Sequence, residues 1–91
     1  MLRIITEQRG HTVHLGLHGT VAGEAIAVLD EHWRGIMKKA PAAFVKVDLS
    51  NVVFIDAHGE RLLRRMAQCG VEFEAAGCMN RYVLDRMTGG L

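Results

Sequence analysis

The first part of the chain alternates between apolar and polar residues, as β-strands with one buried face do. Leu2–Glu7 and Thr12–Leu17 are rich in β-branched and apolar residues, and an arginine-glycine pair between them predicts a tight turn. In the second segment the apolar residues alternate with polar or small ones, so one face is expected to meet a core and the other to meet water. The pattern predicts a β-hairpin whose polar face carries His14 and His18.

Two later segments change to the period of an amphipathic helix. Over Ala22–Lys39 the apolar residues recur three or four positions apart, and an alanine-proline pair ends the segment. A second helix is expected to begin within Asp56–Gly59 and to run to Cys69, with Gly70 as a left-handed cap. The apolar residues expected on the buried faces of the two helices are Ile26, Leu29, Trp33, Ile36, Met37, Leu62, Leu63 and Met66.

Apolar segments between and after these helices predict the remaining elements. Phe44–Leu49 and Val52–Ile55 form nearly continuous apolar runs, typical of a buried strand at the centre of a sheet that leads into a short return. Alternation over residues 71–75 indicates a further strand, and apolar residues at four-residue spacing over 79–87 indicate a last helix.

The order of these elements, ββαβαβα, predicts an α/β fold. Strands that alternate with helices of this length imply crossover connections, and therefore a mixed, largely parallel sheet of four to five strands, extended by the antiparallel hairpin at the start. Residues 1–91 contain no internal repeat, linker or low-complexity tract, so a single domain is expected.

Composition and charge narrow the functional classes. The chain is 49% hydrophobic and 23% charged, which is typical of globular proteins. Its 11 Lys and Arg against 10 Asp and Glu leave little long-range field to attract nucleic acid or anionic lipid. Cys69 and Cys78 form no metal-type pair, and no segment has the length of a signal peptide or a membrane span. A cytoplasmic protein without direct membrane insertion is expected.

Residues 45–59, Val-Lys-Val-Asp-Leu-Ser-Asn-Val-Val-Phe-Ile-Asp-Ala-His-Gly, resemble the signature of STAS domains, the family of anti-sigma-factor antagonists. In that signature a strand ending in Asp-Leu-Ser leads to a Phe-x-Asp-Ser-Ser-Gly turn that opens a helix. Leu15–Gly19 resembles the family's second strand and its glycine, and Gly70–Phe73 resembles the strand after the signature helix. The resemblance covers most of the chain and implies a STAS-like fold in a bacterial protein.

The family's regulatory serine has no counterpart in this chain. In the family the second serine of the turn is phosphorylated by a serine kinase that is also the anti-sigma factor, and phosphorylation releases the complex. His58 occupies this position, and an imidazole offers no hydroxyl to such a kinase. The regulated cycle is therefore not expected intact, whereas the docking surface is expected to persist. The residues expected to contact the partner are Asp56, Ala57, His58, Gly59, Glu60, Arg61 and Arg64.

Several of these residues also have a purely structural interpretation. His58 lies where the second helix begins, so it either helps to receive an anion or is an exposed residue on a degenerate turn. Asp56 is expected chiefly to cap the helix. Arg61, Arg64 and Arg65 fall three and four positions apart and form either a partner-binding patch or a solvated helix face.

Other candidate chemistry rests on single residues. His14 and His18 are four residues apart on a strand, roughly 13 Å, which is too far to share one metal ion. Cys78 lies at the expected start of the last helix, where a thiol can be acidified, although a small buried cysteine is the default. No Ser/His/Asp constellation, glycine-rich phosphate loop or carboxylate pair in a cleft motif is visible. We expect no catalysis, no cofactor and no metal.

The leading functional hypothesis is a protein-interaction module that resembles an anti-sigma-factor antagonist in transcription regulation. Its partner would be an anti-sigma-factor-like kinase or another regulatory protein. The alternative is a STAS accessory subunit of an ABC-type phospholipid transporter. A third hypothesis, from another class, is a small enzyme or redox sensor that uses Cys78 or His58.

A homodimer is also expected. The family usually continues with a further strand and helix, whereas this sequence stops at Leu91, so the fold is expected to be shortened at its C-terminus. An uncovered sheet edge and an exposed apolar face favour self-association. The dimer would form by pairing of sheet edges, or through the faces near residues 71–75 and 83–87. The alternative is that the last helix shifts to cap the sheet.

Overall fold

The computed structural model describes residues 1–75 of the chain. Over that range the element order is ββαβαβ, as the sequence predicts. The elements are the strands β1 (Leu2–Arg9) and β2 (Thr12–Val21), the helix α1 (Ala25–Lys39), the strand β3 (Phe44–Ile55), the helix α2 (Ala57–Gln68) and the strand β4 (Glu72–Glu74). The predicted last helix, Cys78 and the 83–87 face of the predicted dimer lie outside the described residues.

The strands form one four-stranded sheet in the order β1-β2-β3-β4. The pair β1 and β2 is antiparallel, whereas β3 is parallel to both β2 and β4. This confirms a mixed, largely parallel α/β sheet with β3 as one of its two central strands. The hairpin turn falls one residue later than predicted, on Gly10 and His11, and Gly10 takes the positive φ of 60° that this turn requires.

One hydrophobic cluster joins the inner face of the sheet to both helices. Thirteen of its buried members come from strands and helices, and Val71 joins them just before β4. The cluster consists of Val13, Leu15, Leu17, Val21, Leu29, Trp33, Val45, Val47, Leu49, Val52, Leu62, Leu63, Met66 and Val71. The predicted buried faces of the helices are confirmed, except that Ile26 and Ile36 are half-buried and Met37 is exposed. A hydrogen bond of 2.8 Å between Thr6 Oγ1 and His32 Nε2 also connects β1 to α1.

The structure corrects several predicted boundaries, and β1 and β2 continue to Arg9 and Val21 rather than ending at Glu7 and Leu17. α1 begins at Ala25 rather than Ala22, because Gly23 adopts a left-handed φ of 60° that breaks the helical path. β3 is one continuous strand of 12 residues, without the predicted return at its centre. The polar residues that suggested a return lie at an irregularity in its pairing with β2, between Asp48 and Asn51, and a second irregularity follows at Val53.

The prediction of a buried strand holds for only one face of β3. Phe44, Val53 and Phe54 of β3 are exposed, whereas the residues that enter the core are Val45, Val47, Leu49 and Val52. The described helices cover a single face of the sheet. The apolar residues of β3 that point to the other face are therefore exposed to solvent. No helix within residues 1–75 is long and apolar enough to cross a membrane.

Candidate functional site

The turn that opens α2 is fixed by the side chain of Asp56. This residue is extended, with φ −83° and ψ 179°, and its Oδ1 accepts a hydrogen bond of 2.7 Å from the backbone N–H of Gly59. An aspartate in this conformation satisfies one of the free N–H groups at a helix start. The predicted capping role of Asp56 is therefore confirmed.

The same carboxylate reaches the entrance of the other helix. Its Oδ2 accepts a hydrogen bond of 3.3 Å from the backbone N–H of Gly23, two residues before α1. The hydrogen bond from the Gly59 N–H holds the pKa of Asp56 below its ordinary value, with smaller contributions in the same direction from Gly23 and His58. Partial desolvation of the carboxylate opposes these effects. Asp56 stays ionised at neutral pH and links the two helix starts.

Gly59 is buried where α2 approaches the end of β2. A Cβ atom added at this position would collide with the backbone carbonyl oxygen of Val21. The backbone N–H of Asp56 also donates to that oxygen, at 3.2 Å. Gly59, one of the residues predicted to contact a partner, therefore has a packing role and offers no exposed surface.

The remaining residues of the predicted site lie at the start of α2. Ala57, His58, Arg61 and Arg64 are exposed, and we call them the turn surface. Within residues 1–75 the imidazole of His58 makes no hydrogen bond. Glu60 is half-buried and accepts a hydrogen bond of 3.3 Å from Arg64 Nη2.

Sequence reasoning missed two apolar residues beside this turn. Val53 and Phe54 are 78% and 56% exposed, although they belong to an apolar run that predicts burial. Val53 has no partner on β2, because the pairing passes from Val52 directly to Phe54. The signal for their exposure is this irregularity, which depends on the register between two strands and is invisible in the sequence.

Polar residues also gather on the face of the sheet opposite the core. His14 and His18 of β2 line a depression of about 210 Å³ together with Lys46 and Asp48 of β3. Their positions alternate with the core residues of β2, which confirms that both histidines lie on the polar face. Within the described part of the chain no group of three or more His, Cys, Asp or Glu side chains is placed to hold a metal ion.

The predicted arginine patch on α2 is divided. Arg64 pairs with Glu60 on its own helix, whereas Arg65 lines a groove against α1 together with Trp33 and Lys38. Arg65 therefore adjoins the turn surface without making the same contact.

Comparisons with known proteins identify the fold. No family model matches the sequence. No curated protein matches it significantly. A solved structure of Mglu is 25% identical to this chain with a TM-score of 0.61, and the match covers 80% of this chain and 19% of Mglu. A native form of Mglu is 28% identical with a TM-score of 0.53, over 79% of this chain and 23% of that chain.

A shorter solved structure matches nearly end to end. The anti-sigma factor antagonist SpoIIAA, in its unphosphorylated form, is 15% identical with a TM-score of 0.58, and the match covers 96% of this chain and 99% of SpoIIAA. The chain has a STAS-like fold, as its signature resemblance predicts. It spans about a fifth of the Mglu chains that it matches.

Proposed function

We propose that this chain is a non-catalytic protein-interaction module, resembling an anti-sigma-factor antagonist, that docks a regulatory partner through the start of α2. The proposal rests on one observation, that some residues of the turn hold the fold while others are exposed. Asp56 and Gly59 make internal contacts, while Ala57 and His58 face solvent. Exposed residues on a firmly held helix start suit recognition, because little ordering is required when the partner binds. The fold of SpoIIAA supports the same assignment.

The chemistry of the turn surface indicates what the partner presents. Arg61 and Arg64 are exposed cations, and the ion pair between Arg64 and Glu60 is itself solvent-exposed and therefore weak. A partner carboxylate can compete for the Arg64 guanidinium. Val53 and Phe54 add apolar area next to the turn. The proposed partner is an anti-sigma-factor-like kinase, or another regulatory protein, with acidic and apolar groups on its contact face.

The second candidate function is a STAS accessory subunit of an ABC-type phospholipid transporter, and the only observation in its favour is that this chain matches one part of a longer protein. This chain corresponds to 19% of Mglu, and one Mglu structure is an L-glutamate binding form. In this second candidate the turn surface contacts another domain or subunit of a larger assembly, as in the transporter alternative. Reversible binding of this chain to a kinase would favour the interaction module. A permanent complex of this chain with a permease and an ATPase would favour the transporter subunit.

Substitutions on α2 test the docking surface. Ala57→Arg places a long side chain on the turn surface and is expected to weaken binding of an anti-sigma-type serine kinase from the same genome about tenfold or more. Gln68→Arg is the matched control, because it adds the same charge at the exposed far end of α2. Isothermal titration calorimetry measures both dissociation constants. Equal effects of the two substitutions, or none from Ala57→Arg, would contradict the proposal.

Phosphorylation tests the substitution at position 58. The same kinase is expected to leave the wild-type protein unmodified there, because imidazole lacks the acceptor hydroxyl. His58→Ser restores this hydroxyl and is expected to become a substrate. Mass spectrometry after incubation with the kinase and ATP detects phosphate at position 58 in both proteins. Phosphate on His58 of the wild-type protein would refute the prediction.

A further inference from the structure

A groove lies between the C-terminal halves of α1 and α2. Its described lining consists of Trp33, Arg34, Met37 and Lys38 from α1 and Arg65 from α2, and its volume is about 380 Å³. Along α2, Arg65 is seven residues beyond His58, a distance of about 10 Å in a helix. Arg61 and Arg64 of the turn surface are closer, so the groove adjoins the turn surface, but its other described lining comes from α1 and the inference drawn from it does not rest on the proposed function.

Trp33, which lines the groove, carries an unused hydrogen-bond donor. Trp33 is only 5% exposed, and within the described residues its indole Nε1–H has no acceptor. Buried donors are nearly always paired, and an unpaired one is unfavourable until an acceptor is supplied. Met37 beside it is 38% exposed and adds apolar surface. The lining thus offers an apolar contact, and its buried tryptophan carries one unpaired donor.

The described residues on the rim are all cationic. Arg34 Nε donates to Asp30 Oδ1 at 3.0 Å, so its charge is partly satisfied on its own helix. Lys38 and Arg65 form no ion pair with any carboxylate in residues 1–75. Two unpaired cations beside an apolar lining are complementary to a ligand that carries carboxylates and an apolar group.

A structural explanation accounts for only part of this arrangement. Lys38 and Arg65 lie in the last turns of their helices, where positive charge interacts favourably with the helix dipole. Lys39 has the same position on α1 without lining the groove. The dipole therefore explains the charges, but it explains neither the unpaired indole N–H nor the exposed apolar lining.

We propose that this groove binds an acidic segment of a partner polypeptide. Carboxylates of the segment pair with Lys38 and Arg65, an apolar side chain packs on Met37, and one acceptor pairs with the Trp33 Nε1–H. A rim side chain moves aside to admit this acceptor, a change of rotamer that is common at interfaces. The described lining comes from two helices only, which suits an extended protein contact, because pockets for small molecules enclose most of the ligand surface.

The indole N–H reports binding directly. The chain has one tryptophan, so its proton-nitrogen NMR spectrum contains a single indole N–H signal. The probe is a capped 12-residue peptide with leucine and glutamate at helical spacing, and the control peptide has glutamine in place of each glutamate. We expect a saturable downfield shift with the acidic peptide at a dissociation constant below about 1 mM, and none with the control. Absence of a saturable shift would overturn the proposal.

Charge reversals locate the binding. Lys38→Glu and Arg65→Glu are expected to weaken binding about tenfold or more, while Lys39→Glu, with the same change of net charge at the same helix end, leaves it within about twofold. Lys38→Gln and Arg65→Gln provide milder variants if a reversal prevents folding. An equal effect of Lys39→Glu would mean attraction by overall charge and would overturn the proposal. So would binding of phosphatidylglycerol vesicles without binding of the peptide, since the ligand would then be a membrane surface.

Discussion

The turn before α2 divides its residues between holding the fold and facing solvent. The carboxylate of Asp56 and the backbone of Gly59 make internal contacts, and Gly59 has no room for a side chain against Val21. Ala57 and His58 are exposed between them. Substitutions at Asp56 or Gly59 should therefore lower the stability of the fold. Substitutions at Ala57 or His58 should instead change partner binding and leave stability nearly unchanged.

Gly59→Ala is expected to destabilise the protein by about 1–3 kcal/mol, because the new methyl group forces α2 away from β2. Gly35→Ala is the matched control. A Cβ at position 35 meets no atom within 4 Å, and alanine is the better helix former, so this change should stabilise the protein by about 0.5–1 kcal/mol. Urea denaturation measures the free energy of unfolding of both variants. A neutral Gly59→Ala would mean that the close contact is not required.

The lowered pKa of Asp56 predicts a dependence of stability on pH. Since the folded-state pKa lies below the ordinary value of 3.8, the ionised carboxylate stabilises the fold above that value, and the contribution disappears as the pH falls through the folded-state pKa. Asp56→Asn keeps a capping oxygen that cannot titrate. Its melting temperature should be lower than that of the wild type near neutral pH and should fall less steeply in acid.

The control for this acid titration is Glu7→Gln. A hydrogen bond and the charge of Arg9 also lower the pKa of Glu7, but this ion pair is solvent-exposed and contributes little to stability, so the substitution should leave the acid limb nearly unchanged. Unlike Asp56→Asn, it removes no contact from the turn. Identical pH profiles for the wild type and Asp56→Asn would contradict the role assigned to Asp56.

Among the elements, α2 was the easiest to predict and β3 the hardest. The cap at Asp56, the buried stripe from Leu62 to Met66 and the left-handed Gly70 depend on neighbouring residues, so the sequence contains them. The exposure of Val53 depends on how β3 is paired with β2 and on which faces the helices cover. The groove at Trp33 likewise requires two helices that are distant in the sequence to pack together.

Leu63 tests the packing of α2 against the sheet. Its side chain is 0% exposed, so Leu63→Ala is expected to cost about 2–5 kcal/mol through lost burial and the remaining cavity. Val28→Ala on α1 is the control, because Val28 is 57% exposed and its truncation should change stability by less than about 0.5 kcal/mol. Denaturant titrations compare the two, and a cost below about 1 kcal/mol for Leu63→Ala would place Leu63 outside the core.

The whole molecule is expected to unfold as one unit. The strands β2 and β3 share a single hydrophobic cluster with both helices, and Trp33 belongs to it. Fluorescence of Trp33 and far-ultraviolet circular dichroism should therefore report the same urea midpoint, as two-state domains of this size do. Two separate midpoints would contradict the prediction of a single domain over residues 1–91. The same measurement gives the reference state for every stability change proposed above.

The exposed pair at the start of α2 bears on how such a module diverges. The imidazole of His58 makes no hydrogen bond within the described chain, while the turn is held by Asp56 and Gly59. Exchange of serine and histidine at this position therefore alters a phosphate acceptor without removing a contact on which folding depends. A lineage can lose or regain the acceptor through single substitutions, each of which leaves a folded protein. The scaffold and the switch are free to evolve at different rates.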